Sequence, residues 1–204
     1  MNQKIPRILR IDASNRGEDS VTRQLANQIV EGLLEQQAGA EVIERDLNQG
    51  MEFIDPEWIG ANFTPEDERS DQQRAKLSKS DALIQELDEA DILVITAPMY
   101  NFSVPAVLKA WIDLICRAKL TFAYTENGPV GLLRDRPVYL VVATGGVPLG
   151  SPVDFVTPYM KQVLSFIGLN DVRIVAAQQI NMDADAALAK AKAEIQSHLS
   201  ENEE

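Results

Sequence analysis

The sequence is short of the residues on which many enzymes build a reactive centre. Its 204 residues include one cysteine, Cys116, and one histidine, His198. A lone cysteine forms no internal disulfide, and its place in the apolar stretch "LKAWIDLICRA" suits a buried, inert thiol. A single histidine, set near an acidic end expected to fray, argues against a His-dependent hydrolase and against a multi-His metal site. Positive charge is scarce too. Nineteen Lys and Arg stand against 31 Asp and Glu, a net charge of −12, and no basic cluster offsets it. Nucleic acid and anionic membrane surfaces are therefore poor partners. No apolar run approaches the roughly 20 residues of a membrane span. The opening "MNQKIPRILRIDAS" has no signal-peptide layout, so a cytoplasmic protein is expected.

What is present is a regular alternation. Five β-branched or apolar runs occur at 7–11, 40–47, 91–97, 137–143 and 172–178. The third and fourth are almost continuously hydrophobic, as central strands of a sheet covered on both faces should be. Helical periodicities lie between them. Val21, Leu25, Ile29 and Leu33 mark one stripe, Leu83, Ile84 and Leu87 a second. Trp111, Ile112 and Ile115 mark a third and Met160, Val163, Leu164 and Ile167 a fourth, with an Ala-rich helix from about Ala184 to His198. Parallel neighbours need crossovers, so this order predicts one doubly wound α/β sheet. Five strands suit a flavodoxin-like order 2-1-3-4-5, within a single domain spanning 1–204. The segment 48–75 is long and rich in turn formers, yet carries Phe53, Trp58 and Phe63. It is expected to be a packed excursion near a site or an interface.

In such sheets ligands bind outside the carboxyl ends of the strands. The loop after the first strand, "DASNRGEDSVTRQLA", contains neither glycine fingerprint for phosphate. It offers Ser14, Ser20 and Thr22 around a helix start, where unpaired N–H groups favour an anion. From these hydroxyls alone, simple capping by Ser20 or Asp19 is the plainer alternative to a phosphate cradle. Arg16 either adds charge to that cradle or is solvated. After the fourth strand, Gly145 and Gly146 either form a tight turn or let the backbone approach a planar ligand. After the third comes "MYNF", Met99 to Phe102, in a strand-to-helix bend, with Ser103 or a neighbour as helix cap and Pro105 in the first turn. Phosphate at one loop and a planar heterocycle at two others describe FMN.

The residues also resemble a known family. "APMYNF", "RAKLTFAYTENGPVGL", the Gly-Gly turn and "DFVTPYMKQVLSFIGLNDV" look like the FMN-dependent NADH-azoreductases, also called FMN-dependent NADH:quinone oxidoreductases. The resemblance runs nearly the full length. It implies that Ser14, Ser20, Val21 and Thr22 bind the FMN phosphate and that Met99, Tyr100, Asn101 and Phe102 line the isoalloxazine ring. The family's usual Ser-Arg-Gly-Gly falls on Ala143, Thr144, Gly145 and Gly146, so the serine hydroxyl and the arginine are missing. The resemblance further implies a homodimer, with Tyr124 and Phe166 bordering the substrate pocket. NADH, or NADPH as the alternative donor, would reduce the flavin, and quinones or azo compounds would take the electrons in a ping-pong cycle. The flavin would carry the chemistry, with no catalytic side chain required. Two other functions fit the same fold: a one-electron flavodoxin-like carrier, and a flavin-free regulatory protein.

Overall fold

Burial divides the strands of the sheet sharply. In the computed structural model, which describes residues 5–201, β3 (Ile92–Pro98) is buried at every position. β1 (Arg7–Asp12) and β6 (Val138–Ala143) are buried at all but one. β2 (Glu41–Asp46) and β7 (Val172–Ala177) are partly exposed edges. All five run parallel in the order β2-β1-β3-β6-β7, which is the expected 2-1-3-4-5 arrangement counted over the main sheet. The hydrophobic runs occupy the middle because only there are both faces covered.

Alternation along each strand splits the core in two. Leu9, Ile11, Leu93, Ile95, Leu140 and Val142 face one side, and Ile8, Val94, Tyr139 and Val141 face the other. On the second side lie α1 (Val21–Gln36) and α6 (Ala184–Ser200), through Leu25, Ile29, Leu33, Ala191 and Ile195. The first side takes α3 (Asp71–Glu89), α4 (Ala106–Ile115) and α5 (Thr157–Phe166), through Leu83, Leu87, Trp111, Ile115, Met160 and Leu164. Among the described residues no helix is long and apolar enough to cross a membrane.

Three features differ from the expectations. First, 48–75 is not simply loop. It contains α2 (Pro56–Phe63) and the start of α3. Asp55 caps α2 by accepting from the Trp58 N–H at 2.8 Å, with Pro56 at the first position. Ser70 and Gln73 close a capping box on α3. Second, "TFAYTENGPVGL" forms an antiparallel hairpin of β4 (Phe122–Thr125) and β5 (Gly128–Gly131), outside the main sheet. Third, His198 does not fray. α6 continues to Ser200, and His198 Nε2 lies 3.1 Å from the Ile174 carbonyl oxygen.

The excursion is anchored by one buried arginine just beyond α4. Arg117 is 1% exposed, and its Nε donates to Asn62 Oδ1 on α2 at 2.9 Å. Its Nη1 donates to Ser80 Oγ on α3 at 3.1 Å and to the Asp81 carboxylate. Replacing it with methionine, which keeps the stem but removes these bonds, is expected to lower stability by about 2 kcal/mol in urea unfolding, without changing the strand content.

Candidate functional site

Strand order reverses between β1 and β3, because β2 lies beyond β1 and the chain then crosses to the other side. A cleft of about 140 Å³ opens at these carboxyl ends, where the topology leaves a crevice.

Its first wall is the loop after β1 and the N-terminus of α1. Ser14, Arg16, Ser20, Val21 and Thr22 line it. The three hydroxyl residues are at most 2% exposed, so they are recessed in the cleft. Ser20 is the N-cap of α1, but its Oγ accepts from the Arg23 N–H at 3.4 Å, beyond the roughly 2.7–3.2 Å of a good bond. The same Oγ lies 3.0 Å from Thr22 Oγ1. Capping is thus present but weak, and the hydroxyl pair still lines the cleft. Among the described residues no acceptor takes the N–H of Val21 or Thr22. These orphan donors, with the positive end of the helix dipole, favour an anion. Arg16 is the one charged side chain in the lining, and among the described residues no ion pair occupies it.

The second wall is the end of β3 and "MYNF". Pro98, Met99 and Tyr100 line the cleft, and Tyr100 OH lies 3.3 Å from Ser14 Oγ. Met99 extends the sheet, its N–H donating to Ala143 O at 2.9 Å. The next four residues make a tight turn. Tyr100 and Ser103 exchange two main-chain bonds of 3.0 and 3.1 Å, with Asn101 at φ 48° and Phe102 at φ 73°. Positive φ at both central residues is the mark of a primed hairpin turn, in which glycine ordinarily takes the second place. A phenylalanine held there is strained, and such strain collects at functional sites. This turn corrects the expected cap. Ser103 is committed to Tyr100, Pro105 takes the cap position without a side-chain bond, and α4 begins at Ala106. It also ties up the Tyr100 N–H, leaving those of Asn101 and Phe102 without an acceptor among the described residues.

The third wall is the loop after β6. Ala143, Thr144 and Gly145 line the cleft. Thr144 is 1% exposed and its hydroxyl works inward, donating to Val147 O at 2.5 Å and accepting from the Gln179 N–H at 2.9 Å. Among the described residues nothing accepts from the Gly145 or Gly146 N–H. A fourth segment was not anticipated from sequence: Ile180 and Asn181, after β7, also line the cleft. They are drawn in by bonds from the Ile180 N–H to Thr144 O and from the Asn181 N–H to Gly145 O. A Cβ on Gly145 would stand 2.8 Å from Asn181 Nδ2, so a larger residue there would displace the Asn181 amide. A polar, turn-forming "QQINMD" after the last strand is the one signal that could have flagged this segment.

Nine of the expected residues therefore meet in one cleft: Ser14, Ser20, Val21, Thr22, Met99, Tyr100, Ala143, Thr144 and Gly145. Asn101, Phe102 and Gly146 are exposed next to it in sequence. Tyr124 and Phe166 are elsewhere. Both pack on Phe122, with ring centroids 5.5 and 4.4 Å away, and Tyr124 is 75% exposed. Cys116 takes no part in the cleft. Burial, helped by nearby Asp113, pushes its thiol up to about 11, so it stays protonated at neutral pH.

A doubly wound parallel sheet of this order, with a cleft at its switch point, defines a flavodoxin-like α/β protein. A family model described as flavodoxin-like fold matches residues 6–199, and the chain belongs to that family. It is 53% identical over 195 residues to "FMN-dependent NADH:quinone oxidoreductase 1" of Hahella chejuensis, covering 96% of each chain. It is 51% identical over 189 residues to the protein of that name from Jannaschia sp., covering 93% of this chain and 96% of that one. Among solved structures, an FMN-dependent NADH-azoreductase from Bacillus anthracis in complex with FMN superposes with a TM-score of 0.86 at 28% identity. That match covers 97% of this chain and 99% of the other.

Two outcomes are expected. Thr144→Val keeps the shape but removes both hydroxyl bonds, and should cost about 2 kcal/mol in urea unfolding while loosening the loop after β7. The second concerns acid. Asp154, on the loop leading to α5, is raised by burial, but the Thr157 hydroxyl and the N–H groups of Gly150, Thr157 and Val156 outweigh this and hold it below the usual 3.8. A carboxylate depressed on folding stabilises fully above its unfolded pKa, and that contribution is lost as pH falls through the folded value. Unfolding free energy should drop below about pH 4, and Asp154→Asn should flatten that drop.

Proposed function

We propose that this protein is an FMN-dependent NADH:quinone oxidoreductase, acting in the cytoplasm with the whole chain as one FMN-binding domain. The observation that carries this is the single cleft in which unpaired donors at the start of α1 share a space with the Met99–Tyr100 wall and the Gly145 turn. The residues suit FMN. Hydroxyls of Ser14, Ser20 and Thr22, the N–H groups of Val21 and Thr22, and Arg16 provide donors and positive charge for a phosphate monoester. The N–H groups of Gly145 and Gly146 can serve the polar edge of a flat ring and stabilise negative charge that develops there.

The chemistry supplied by bound FMN is ping-pong hydride transfer from NADH, with NADPH as the alternative donor, to a quinone, two cycles being needed to cleave an azo bond to two amines. The chain's own task is to bind and orient. Met99 and Tyr100 form the wall beside the ring. Asn101 offers an amide and a free N–H, and Phe102, 53% exposed, offers a face to flat aromatic acceptors. Ala143 and Thr144 shape the loop that presents the glycine donors. No side chain is required as acid or base.

The active assembly is a homodimer in this proposal. Phe53, Phe63 and Tyr124 are 71%, 82% and 75% exposed, aromatic surface that a second copy of the chain could cover. Tyr124 and Phe166 would border the acceptor pocket of that assembly. Light scattering at twice the chain mass is the expected result.

The test of function is anaerobic titration of the yellow, FMN-loaded protein with NADH. Bleaching followed by reoxidation with a quinone supports the enzyme, whereas no bleaching by either nicotinamide would make it a one-electron carrier instead. For the cradle, Ser20→Ala with Thr22→Ala should weaken FMN by about tenfold or more, because two bonds to a charged group are lost. Unchanged FMN affinity would dismiss the phosphate assignment.

A further inference from the structure

The carbonyl oxygen of Ser14 is gripped by two side chains. Arg23 Nη2 donates to it at 3.1 Å and Asn48 Nδ2 at 2.9 Å. A carbonyl oxygen has two lone pairs, so both are occupied. Ser14 lines the cleft, but neither Arg23 nor Asn48 does. The oxygen therefore points away from the cleft, while Ser14 Oγ stays there, with the Arg16 N–H donating to it at 3.3 Å.

Both donors are themselves fixed. Arg23 Nη2 lies 2.8 Å from Asp46 Oδ1, and its Nη1 lies 3.6 Å from Asp12 Oδ2. Asn48 reaches the same Asp46 oxygen twice, through its main-chain N–H and its Nδ2, each at 3.0 Å. Asp12 is 5% exposed and also accepts from Arg10 Nε at 2.8 Å. Burial works to raise Asp46, but Asn48 and Arg23 outweigh it and keep the carboxylate ionised. Two carboxylates, Asp12 and Asp46, thus balance two guanidiniums, Arg10 and Arg23. The effect of Arg23 on an anion in the cleft is exerted through the loop it holds more than through its own field.

We propose that Arg23 and Asn48 are positioning residues for phosphate binding: they hold the Ser14 carbonyl out of the cleft so that donors alone face the phosphate. A carbonyl dipole turned the other way would set a partial negative charge against an anion. This rests on the FMN assignment above and extends it to side chains that touch no ligand. It also makes the segment after β2, where Asn48 lies, a support of the cofactor loop.

The test compares FMN with riboflavin, which lacks only the phosphate. Full-length protein freed of flavin is titrated with each while flavin fluorescence is followed. Arg23→Met and Asn48→Ala should each weaken FMN by about tenfold while changing riboflavin affinity by less than about twofold. Both act on one oxygen, so the double variant should lose less than the product of the single losses. Arg23→Lys should recover part of the affinity. Equal weakening of FMN and riboflavin would mean a general structural role and overturn the proposal, as would unchanged FMN binding. Should Arg23→Met fail to fold, Asn48→Ala at its exposed position decides alone. A wild-type protein that binds FMN no more tightly than riboflavin would instead remove the phosphate assignment, and this proposal with it.

Discussion

Parallel strands covered by helices on both faces leave polar chemistry one place to go. Every inward position of β3 is buried, and the main-chain groups within the strands are consumed by their neighbours. In the covered middle of the sheet, unpaired main-chain donors and acceptors collect where strands stop and helices start. The arrangement of the cleft follows from that constraint. Its walls are the first residues beyond β1, β3, β6 and β7, and its donors are N–H groups that no ladder or helix can use. The apolar sheet supplies rigidity and reaches the cleft only through the last residues of β3 and β6, Pro98 and Ala143.

The loops are consequently held by devices of their own. Thr144 joins the loops after β6 and β7 through one hydroxyl, and Asp154 gathers the approach to α5 around one carboxylate. Arg23 and Asn48 do the same for the loop after β1, and Arg117 for the excursion. In each case one polar side chain satisfies several main-chain or side-chain partners at once, so removing it orphans all of them. The fold thus separates two tasks. Hydrophobic burial sets where the loops emerge, and isolated polar hubs set what shape they take.

How much was legible in the sequence follows the same division. Strands with almost continuously hydrophobic runs, such as 91–97 and 137–143, were plain, because no alternative environment suits them. Helices with wide stripes were plain for the same reason. The short α2 was hidden in a polar segment, although its Asp55-Pro56 start was there to be read. The β4–β5 hairpin was hidden because "TENGP" marks a turn without saying what flanks it. Within the site, the hydroxyls, the "MYNF" bend and the glycine pair announced three walls. Asn181 did not, since its role depends on contact with Gly145, which no local pattern encodes. Nor did the inward use of Thr144, which depends on a partner 35 residues away.

The turn at Asn101–Phe102 has a bearing on protein engineering. A left-handed phenylalanine sits in a conformation that costs on the order of 1–3 kcal/mol and that glycine adopts freely. A library screened for thermostability alone would therefore be drawn to glycine at 102, and would discard the ring that stands beside the cleft. Under the proposed function, stability and activity pull in opposite directions at this one codon. Optimisation of the scaffold should hold it constant and look for gains elsewhere, where no such conflict is written into the backbone.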